Sequence, residues 1–409
     1  MIKDFNFYAP TRVVFGQQSE EQLPQLIKSN GGTRVLVHYG GGSARRSGLL
    51  DKVEQMLSEA GIPYVELGGV VPNPLLSKVR EGIGLCRSEH VDFILAVGGG
   101  SVIDSAKAIG YGVDYDGDVW DFWAGKAAPQ TCLPIGVMLT IPAAGSEMSS
   151  SCVITNDEAI SAVSDGHPAS GSGAIKRGIN SDLCRCRFCI MNPERTYTLP
   201  PFQTAAGATD IMMHTMERYF SKYEEMTLTD AISEALLRTV KDCVFHVLRD
   251  PEDYRNRAQI MWAGSLAHND LTECGTEKDF ATHRLEHELS ALFGVTHGAG
   301  LAAIWASWAR YVLPHHVSRF AQFAVNVMGV ANDFNHPLDT AVMGIEAMER
   351  FYRAIGMPTS IPELIGRPVT DDEISQMVDM ASRGRTITLG AMEVLQPDDM
   401  AAIYRMANQ

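Results

Sequence analysis

The sequence predicts an α/β domain with a Rossmann-like, doubly wound parallel sheet, followed by an all-helical domain. In residues 1–199, short runs of β-branched and aliphatic residues alternate with amphipathic stretches. That alternation is typical of parallel strands joined by helices. After residue 200 it nearly disappears, and helical periodicity takes its place. We therefore expect two domains, residues 1–199 and 200–409, with a boundary at Pro200 and Pro201, because proline disfavours the continuation of any element.

The predicted strands of the first domain are apolar runs that end at turn residues. In chain order they are residues 34–39, 62–67, 91–97, 133–140 and 189–191. Two helices are predicted between them: residues 49–60, which end before Gly61, and residues 75–87. The segment from Ser161 to Gly173 is rich in Ser, Gly and Ala, so we predict a surface loop or hairpin tip there.

The second domain is predicted to consist of helices because apolar residues recur there with helical spacing. The predicted helices are residues 201–220, 228–248, 254–268, 281–293, 297–312, 317–328, 337–355 and 371–382.

The composition is that of an ordinary globular protein, with 45% hydrophobic and 20% charged residues. A net charge of −15 argues against a nucleic-acid partner, because such partners need a basic surface. No apolar run approaches the roughly 20 residues that span a bilayer, and the N-terminal residues do not read as a signal peptide. With eight cysteines, we expect a protein of the reducing cytoplasm, without a membrane partner.

Cys184, Cys186 and Cys189 lie close together in the sequence, and Cys186 and Cys189 form a C-x₂-C pair. A metal cluster would need a second pair or a nearby Cys/His group, which the sequence does not offer. The favoured interpretation is three small residues at the start of a strand.

Three turns rich in glycine or small residues each follow a predicted strand, at residues 40–43, 98–101 and 140–147. Glycines let phosphates approach the backbone, and a following helix N-terminus offers free N–H groups. Such turns line the crevice where open α/β sheets bind ligands, although a tight turn also needs glycine for structural reasons. The candidate nucleotide-binding residues in the first two turns are Gly41, Gly42, Ser43, Gly98, Gly99, Gly100 and Ser101.

Asp210, His214, His283 and His297 form a candidate metal site. Asp210 and His214 are four residues apart, which places both on one face of a helix. Fourteen residues of straight helix would separate His283 from His297 by about 21 Å, so the chain must turn, and Gly294 offers the break. One carboxylate and three imidazoles suit Fe²⁺ or Zn²⁺. Five other histidines are predicted to lie at the surface or at helix ends: His38, His90, His246, His315 and His316.

A competing interpretation uses His283 and His287, which flank Glu286 in an H-x-x-E-H motif. This is the signature of inverzincin metallopeptidases, in which the glutamate is the general base. It would leave Asp210, His214, His297 and the glycine turns without a role. Outside that interpretation, Glu286 could support a neighbouring metal ligand, but the favoured prediction is that it lies on a solvated helix face.

The whole chain resembles the iron-containing, group III alcohol dehydrogenase family, most closely its butanol dehydrogenase and aldehyde reductase branch. The resemblance rests on the metal set and on residues 98–107, 139–147 and 192–200. It implies the two-domain fold, a homodimer, and Asp210, His214, His283 and His297 as ligands of iron or zinc.

The resemblance also implies roles for individual residues. Residues 98–107, including Asp104, match the pyrophosphate segment, and Thr140 falls on the threonine-rich nucleotide segment. Lys176 matches a lysine near the nicotinamide ribose. His287 matches a histidine near the nicotinamide that is not a ligand, and it could relay the substrate proton.

The implied reaction is metal-dependent, NAD(P)-linked hydride transfer between nicotinamide C4 and a primary alcohol or aldehyde. A metal- and NAD-dependent lyase resembling dehydroquinate synthase would instead call for a glutamate among the ligands. A non-catalytic nucleotide-binding protein would not need the intact ligand set.

The first glycine turn bears on the choice of cofactor. NAD-binding turns of this kind usually carry an acidic residue that binds the ribose 2′-hydroxyl. Here the turn has no acidic residue and is followed by Arg45 and Arg46. A 2′-phosphate would fit beside Gly41, Gly42 and Ser43 and would be attracted by either arginine, which favours NADP(H) over NAD(H).

Overall fold

The computed structural model describes residues 2–158, 174–223 and 225–409, with the backbone of residues 163–164 and 167–168. They form two compact units, one within residues 8–198 and the other made of residues 2–7 and 199–409. The predicted fold class is confirmed, since the first unit contains a parallel sheet with helices and the second is helical. Division into domains at residues 1–199 and 200–409 stays a prediction. Residues 2–7 belong with the helical unit, where the Lys3 N–H donates to the Gly275 carbonyl at 3.1 Å.

Strands and helices alternate through most of the α/β unit. Its described strands are β1 (Arg12–Phe15), β2 (Val35–Tyr39), β3 (Tyr64–Leu67), β4 (Phe93–Gly98), β5 (Ile135–Leu139), β6 (Ser151–Asn156), β7 (Val163–Ser164), β8 (His167–Pro168), β9 (Ile175–Asn180) and β10 (Phe188–Met191). Its described helices are α1 (Leu23–Ser29), α2 (Ser43–Arg46), α3 (Leu49–Glu59), α4 (Leu76–Ser88), α5 (Gly100–Gly112) and α6 (Trp120–Trp123).

Six of the described strands form one parallel sheet in the order β1-β10-β5-β4-β2-β3. From β2 the chain moves outward to β3, and then returns to place β4 on the other side of β2. The strand order therefore reverses between β2 and β4. Ligands bind outside the carboxyl ends of the strands at such a reversal.

Helices cover both faces of this sheet. Val35, Val37 and Leu95 pack in one apolar cluster with residues of α1 and α3. On the opposite face, the Oγ of Ser105 in α5 donates to Nε2 of His38 at 2.9 Å, and His38 Nδ1 donates to the Leu67 carbonyl at 2.8 Å. The prediction that His38 lies at the surface is wrong, because a central parallel strand is buried on both faces. Burial lowers the pKa of His38 to about 4.

Strand β1, helix α1 and the antiparallel pair of β6 and β9 are not predicted by the sequence pattern. Strand β1 is short, lies at the sheet edge and has one buried residue, so it leaves little apolar pattern. The predicted loop or hairpin tip from Ser161 to Gly173 lies outside the described residues, apart from the backbone of β7 and β8. Cys189 lies in β10, as the strand interpretation of the cysteines predicted.

The helical unit contains the predicted helices with small shifts at their ends, together with the unpredicted α14 and α16. Its described helices are α7 (Pro201–Tyr219), α8 (Thr227–Arg249), α9 (Tyr254–Ala267), α10 (Ala281–Phe293), α11 (His297–Val312), α12 (Val317–Asn326), α13 (Pro337–Ala354), α14 (Ile361–Ile365), α15 (Asp371–Ala381) and α16 (Pro397–Ala407). Of the helices that the structure describes, none combines the length and the apolar character needed to cross a membrane.

A buried ion pair ties α12 to the start of α8. The guanidinium of Arg319 donates from both terminal nitrogens to the two carboxylate oxygens of Asp230, at 2.5 and 2.6 Å. Its Nε donates to the carbonyl of Tyr219 at 2.7 Å, and the guanidinium lies 3.9 Å from the centroid of the Tyr219 ring. Arg319 is fully buried, so the loss of its partner would leave a charge without compensation.

We expect Asp230→Ala to destabilise the helical unit by about 3–5 kcal/mol, because it leaves the Arg319 guanidinium buried and unpaired. Asp379→Ala removes the half-exposed partner of Arg385 and should cost less than about 1 kcal/mol. Urea unfolding followed by circular dichroism measures both free energies. Equal losses of stability in the two variants would contradict the conclusion that the buried Asp230–Arg319 pair contributes more than the exposed Asp379–Arg385 pair.

Candidate functional site

Three of the predicted metal ligands are imidazoles that converge on a carboxylate oxygen of the fourth ligand, Asp210, in the helical unit. Helix α7 carries Asp210 and His214 one turn apart, α10 carries His283, and α11 begins with His297. The distances from Asp210 Oδ1 to the imidazole Nε2 atoms are 3.3 Å for His214, 3.8 Å for His283 and 3.8 Å for His297. Three helices therefore present one carboxylate and three imidazoles to a common centre.

Two glycines allow the helices to meet at this point. Gly294 ends α10 with a φ of +64°, and so supplies the predicted turn before α11. Gly298, next to His297, lies against α7, where an added Cβ would approach the carbonyl oxygen of Ala206 to 2.1 Å. Because that neighbour is backbone, only glycine lets the start of α11 approach α7 so closely.

Unpaired polar atoms at the centre indicate that the residues fit a metal ion. Asp210 and His283 are buried, and among the described residues neither Asp210 Oδ1 nor His283 Nε2 has a hydrogen-bond partner. One ligand atom from each of Asp210, His283 and His297 lies within 4.8 Å of the others. Buried polar atoms without partners cost free energy, which a cation between them would offset.

The electrostatics of the centre favour positive charge. Burial opposes a charge on His283, but the nearby carboxylates of Asp210 and Glu217 outweigh it and raise its pKa to about 9. Burial and the neighbouring His268 and His283 hold the pKa of His214 well below its usual value. His214 is therefore neutral, which is the form that binds a metal, and the carboxylates beside His283 attract a cation.

Two of these imidazoles each donate a hydrogen bond from Nδ1, the nitrogen that faces away from Asp210, to a buried carboxylate. His283 Nδ1 donates to Glu217 Oε1 at 2.9 Å, and His297 Nδ1 donates to Glu286 Oε2. Each bond fixes the tautomer that leaves Nε2 free to bind a metal. The prediction that Glu286 lies on a solvated face is wrong, since its side chain is fully buried.

Two residues of this centre were missed from the sequence. Glu217 lies seven residues after Asp210 on the same face of α7, and that spacing was the available signal. His268, whose ring centroid lies 4.0 Å from that of His214, follows α9 and belongs to no motif.

His287 lies one turn after His283 on α10 and is partly buried, with its ring centroid 5.7 Å from that of His297. The structure places it beside the ligand set. In the metallopeptidase interpretation, His283 and His287 would be the ligands and Glu286 a general base. His283 is directed instead at Asp210, and Glu286 is engaged by His297, so the geometry disfavours that interpretation.

In the α/β unit, two predicted glycine turns end the neighbouring strands β2 and β4. Gly41, Gly42 and Ser43 are exposed, and an added Cβ at Gly41 would have no atom within 4 Å. The other turn leads from Gly98 and Gly99 to Gly100 and Ser101 in the first turn of α5. Its first N–H groups have no partner within the helix and can bind an anion.

The segment after β5 packs against the second turn. The N–H of Thr140 donates to the carbonyl of Gly98 at 3.1 Å. A Cβ on Gly99 would come within 2.1 Å of Ile141 Cγ2, so glycine is needed for this close packing. The structure therefore brings the predicted nucleotide residues Gly98–Ser101 and Thr140 together at one edge of the sheet.

Asp104 faces a neighbouring loop. Its carboxylate accepts from Ser146 Oγ at 2.5 Å and from the Val153 N–H at 3.0 Å. Burial raises the pKa of Asp104, while the charges of Lys107 and Lys176 oppose that shift. Lys176 is a buried residue of β9. These contacts give Asp104 a clear part in holding the loop, while direct binding of cofactor by Asp104 and Lys176 stays a prediction.

The sequence matches known families over nearly its whole length. Residues 10–170 match the family described as iron-containing alcohol dehydrogenase, and residues 204–408 match the C-terminal region of the Fe-containing alcohol dehydrogenase family. The chain belongs to the iron-containing alcohol dehydrogenase family. The predicted resemblance is thereby confirmed, and membership implies a metal and a nicotinamide cofactor.

Relatives in this family cover almost all of the chain. A probable NADH-dependent butanol dehydrogenase 2 of Bacillus subtilis is 37% identical, with 99% of both chains covered. The NADPH-dependent aldehyde reductase YqhD of Escherichia coli is 33% identical, with 88% of this chain and 89% of the relative covered. The crystal structure of NADH-dependent butanol dehydrogenase A from Thermotoga maritima has a TM-score of 0.92 and 34% identity, and covers 100% of this chain and 99% of that one.

We expect His283→Ala and His297→Ala each to reduce bound metal to below about one tenth of the wild-type content, because each would remove one of the four predicted metal ligands. His246→Ala, on the exposed side of α8, is the matched control and should retain the metal. Elemental analysis after desalting measures the content. Full metal in either ligand variant would rule the site out.

Proposed function

We propose that this chain is a metal-dependent, NAD(P)-linked alcohol dehydrogenase and aldehyde reductase that acts on primary alcohols or aldehydes of the butanol type. The observation that carries the proposal is the convergence of three imidazole Nε2 atoms on Asp210 Oδ1, within a buried centre. The substrate class is supported by the names of two relatives, a butanol dehydrogenase and an aldehyde reductase.

Asp210, His214, His283 and His297 would hold Fe²⁺ or Zn²⁺, since the same ligands serve both. When bound, the metal supplies a Lewis acid that polarises the substrate oxygen, and the nicotinamide exchanges a hydride at C4. Only Asp210 brings a negative charge among the four ligands. The residues therefore leave part of a divalent charge uncompensated, and this favours the substrate oxygen as it becomes more negative.

His287 is the residue that we assign to proton exchange. It lies one turn from His283 and keeps part of its surface exposed. An imidazole accepts and releases protons near neutral pH, so His287 can pass the alcohol proton to water and return it during reduction.

The nucleotide would bind at the reversal of strand order between β2 and β4. The free N–H groups of Gly100 and Ser101 face the pyrophosphate in this assignment. Gly98 and Gly99 leave room for it, Thr140 borders the same turn, and Lys176 is assigned to the nicotinamide ribose. At the end of β2, Gly41, Gly42 and Ser43 would surround the adenosine ribose.

We favour NADP(H) over NAD(H), and the structure distinguishes the two arginines that motivated this choice. Arg45 is already engaged by Glu66 at 2.7 Å and Glu54 at 3.1 Å. Arg46 is exposed beside Gly42, and it forms no ion pair with any residue that the structure describes. Arg46 is thus the cation that we assign to the 2′-phosphate. A homodimer and a cytoplasmic location stay predictions.

The activity is tested by reduction of butanal with NADPH and with NADH, followed at the nicotinamide absorbance band. We expect turnover that is lost on removal of the metal with a chelator and restored by Fe²⁺ or Zn²⁺. Turnover that survives complete metal removal would overturn the metal-dependent mechanism. A metal-loaded protein that oxidises no primary alcohol and reduces no aldehyde would overturn the proposed reaction.

Arg46→Ala should raise the KM for NADPH about tenfold and leave the KM for NADH nearly unchanged, because a charge-assisted bond to phosphate contributes roughly 1.5–3 kcal/mol. Arg45→Ala is the matched control, since its guanidinium is shared with carboxylates. Steady-state kinetics with both cofactors measure the ratio. A larger effect of Arg45→Ala on the KM for NADPH would contradict this assignment.

A further inference from the structure

Glu217 makes an unusual double contact with the metal ligand His283. It is a buried residue of α7, and its Oε1 atom accepts two hydrogen bonds from the same residue of α10. The backbone N–H of His283 donates at 3.0 Å and the ring Nδ1 donates at 2.9 Å. One carboxylate oxygen therefore holds both the backbone and the ring of this ligand.

The backbone contact stabilises the start of α10. The residue before the helix, Phe280, has a φ of +57° and offers no side-chain cap. The N–H of Ala281 is accepted by Asp279 Oδ1 at 2.9 Å, and the N–H of His283, the third helical residue, is accepted by Glu217. Glu217 of α7 thus accepts an N–H in the first turn of α10, a bond that a capping residue next to the helix usually provides.

The ring contact determines which nitrogen of His283 faces the metal centre. With a proton on Nδ1 shared with Glu217, Nε2 carries the lone pair and points towards Asp210 Oδ1, 3.8 Å away. Because the same oxygen fixes the helix start, the position of the helix and the rotation of the ring are set together. A hydrogen bond from a carboxylate also makes the opposite nitrogen a stronger metal donor.

One face of α7 supplies this entire arrangement. Asp210, His214 and Glu217 follow one another at helical spacing, so they point in the same direction. The backbone carbonyl of Glu217 also accepts the N–H of Asp279, at 2.8 Å, and so holds the segment that leads into α10. Any shift of α7 would therefore move two ligands and the support of a third.

The imidazoles differ in how they are held. His297 Nδ1 is held by Glu286, a residue of the preceding helix, while His214 Nδ1 has no hydrogen-bond partner among the described residues. Glu217 and Glu286 thus each connect one ligand-bearing helix to the ring of a ligand on another, and Glu217 also accepts the backbone N–H of its ligand.

We propose that Glu217 is a positioning residue that fixes the tautomer and orientation of His283 and thereby sets the metal affinity of the centre. The inference rests on the metal site of the proposed function. Glu217 accepts hydrogen bonds from Nδ1 and the backbone N–H of His283, so the effect of Glu217 on the metal passes through His283.

The test compares Zn²⁺ affinity in the full-length protein, measured by competition with a chromophoric chelator. We expect Glu217→Gln to weaken binding about tenfold, because a neutral amide oxygen can accept both bonds but lacks the charge, and Glu217→Ala to weaken it about 100-fold. Glu234→Gln is the matched control: this buried carboxylate of α8 accepts the Tyr219 hydroxyl at 2.9 Å and should leave the Zn²⁺ Kd unchanged. The visible absorption of bound Co²⁺ should change in the Glu217 variants alone.

A purely structural role for Glu217 would lower the Tm of the metal-free protein while the Zn²⁺ Kd and the Co²⁺ spectrum stay at wild-type values. That outcome would overturn the proposal. A second measurement uses the wild-type protein: histidine ¹⁵N NMR of the Zn²⁺ form should show the proton of His283 on Nδ1. A proton on Nε2 would also overturn it, even if the Glu217 variants do not fold.

Failure of the proposed function has a different signature. A wild-type protein that binds Zn²⁺ but turns over neither alcohol nor aldehyde would refute the reaction, and the Kd ratio between wild type and Glu217→Gln would still test Glu217. If the wild-type protein is active but binds Zn²⁺ with the same Kd as Glu217→Gln, only the proposed role of Glu217 is refuted.

Discussion

The arrangement of the helical unit depends on a buried carboxylate oxygen that faces three imidazole nitrogens. Asp210 Oδ1 has no hydrogen-bond partner among the described residues, and His283 Nε2 shares that condition. Burial of a charge without compensation costs on the order of several kcal/mol. The packing of α7, α10 and α11 therefore holds together groups that a cation stabilises, and Gly298 permits an approach that any side chain would prevent.

The proposed function makes a different demand on the α/β unit, which is space for the phosphates of a nicotinamide cofactor. The reversal of strand order between β2 and β4 brings two glycine turns to neighbouring strand ends. Side chains that could fill the turn after β4 are absent at Gly98 and Gly99, while Asp104 and Lys107 are directed at the loop over residues 146–153. Charge in this segment thus holds the loop in place, and the turn itself is left to backbone N–H groups.

Much of this could be predicted because the decisive signals are local. Helices α10 and α11 were predicted with their observed bounds, since Gly294 marks the break and helical spacing is clear on both sides. Long-range contacts were not accessible in this way. Glu286 was predicted to be solvated and is buried, because it lies against His297 and Gly300 of α11. The edge strand β1 is recognisable only through its pairing with β10. Glu217 and His268 likewise gain their significance from neighbours distant in sequence.

The distribution of carboxylates around the centre explains how a metal bound there could be both firmly held and reactive. Direct ligation by three carboxylates would more than neutralise a divalent ion and weaken its pull on a substrate oxygen. Among the four predicted ligands only Asp210 offers a carboxylate oxygen, while Glu217 and Glu286 contact the far side of His283 and His297. They orient the rings and strengthen Nε2 as a donor, yet an imidazole separates their charge from the ion. In the proposed function, the centre would therefore bind a metal firmly and still leave it electron-poor enough to polarise a substrate oxygen.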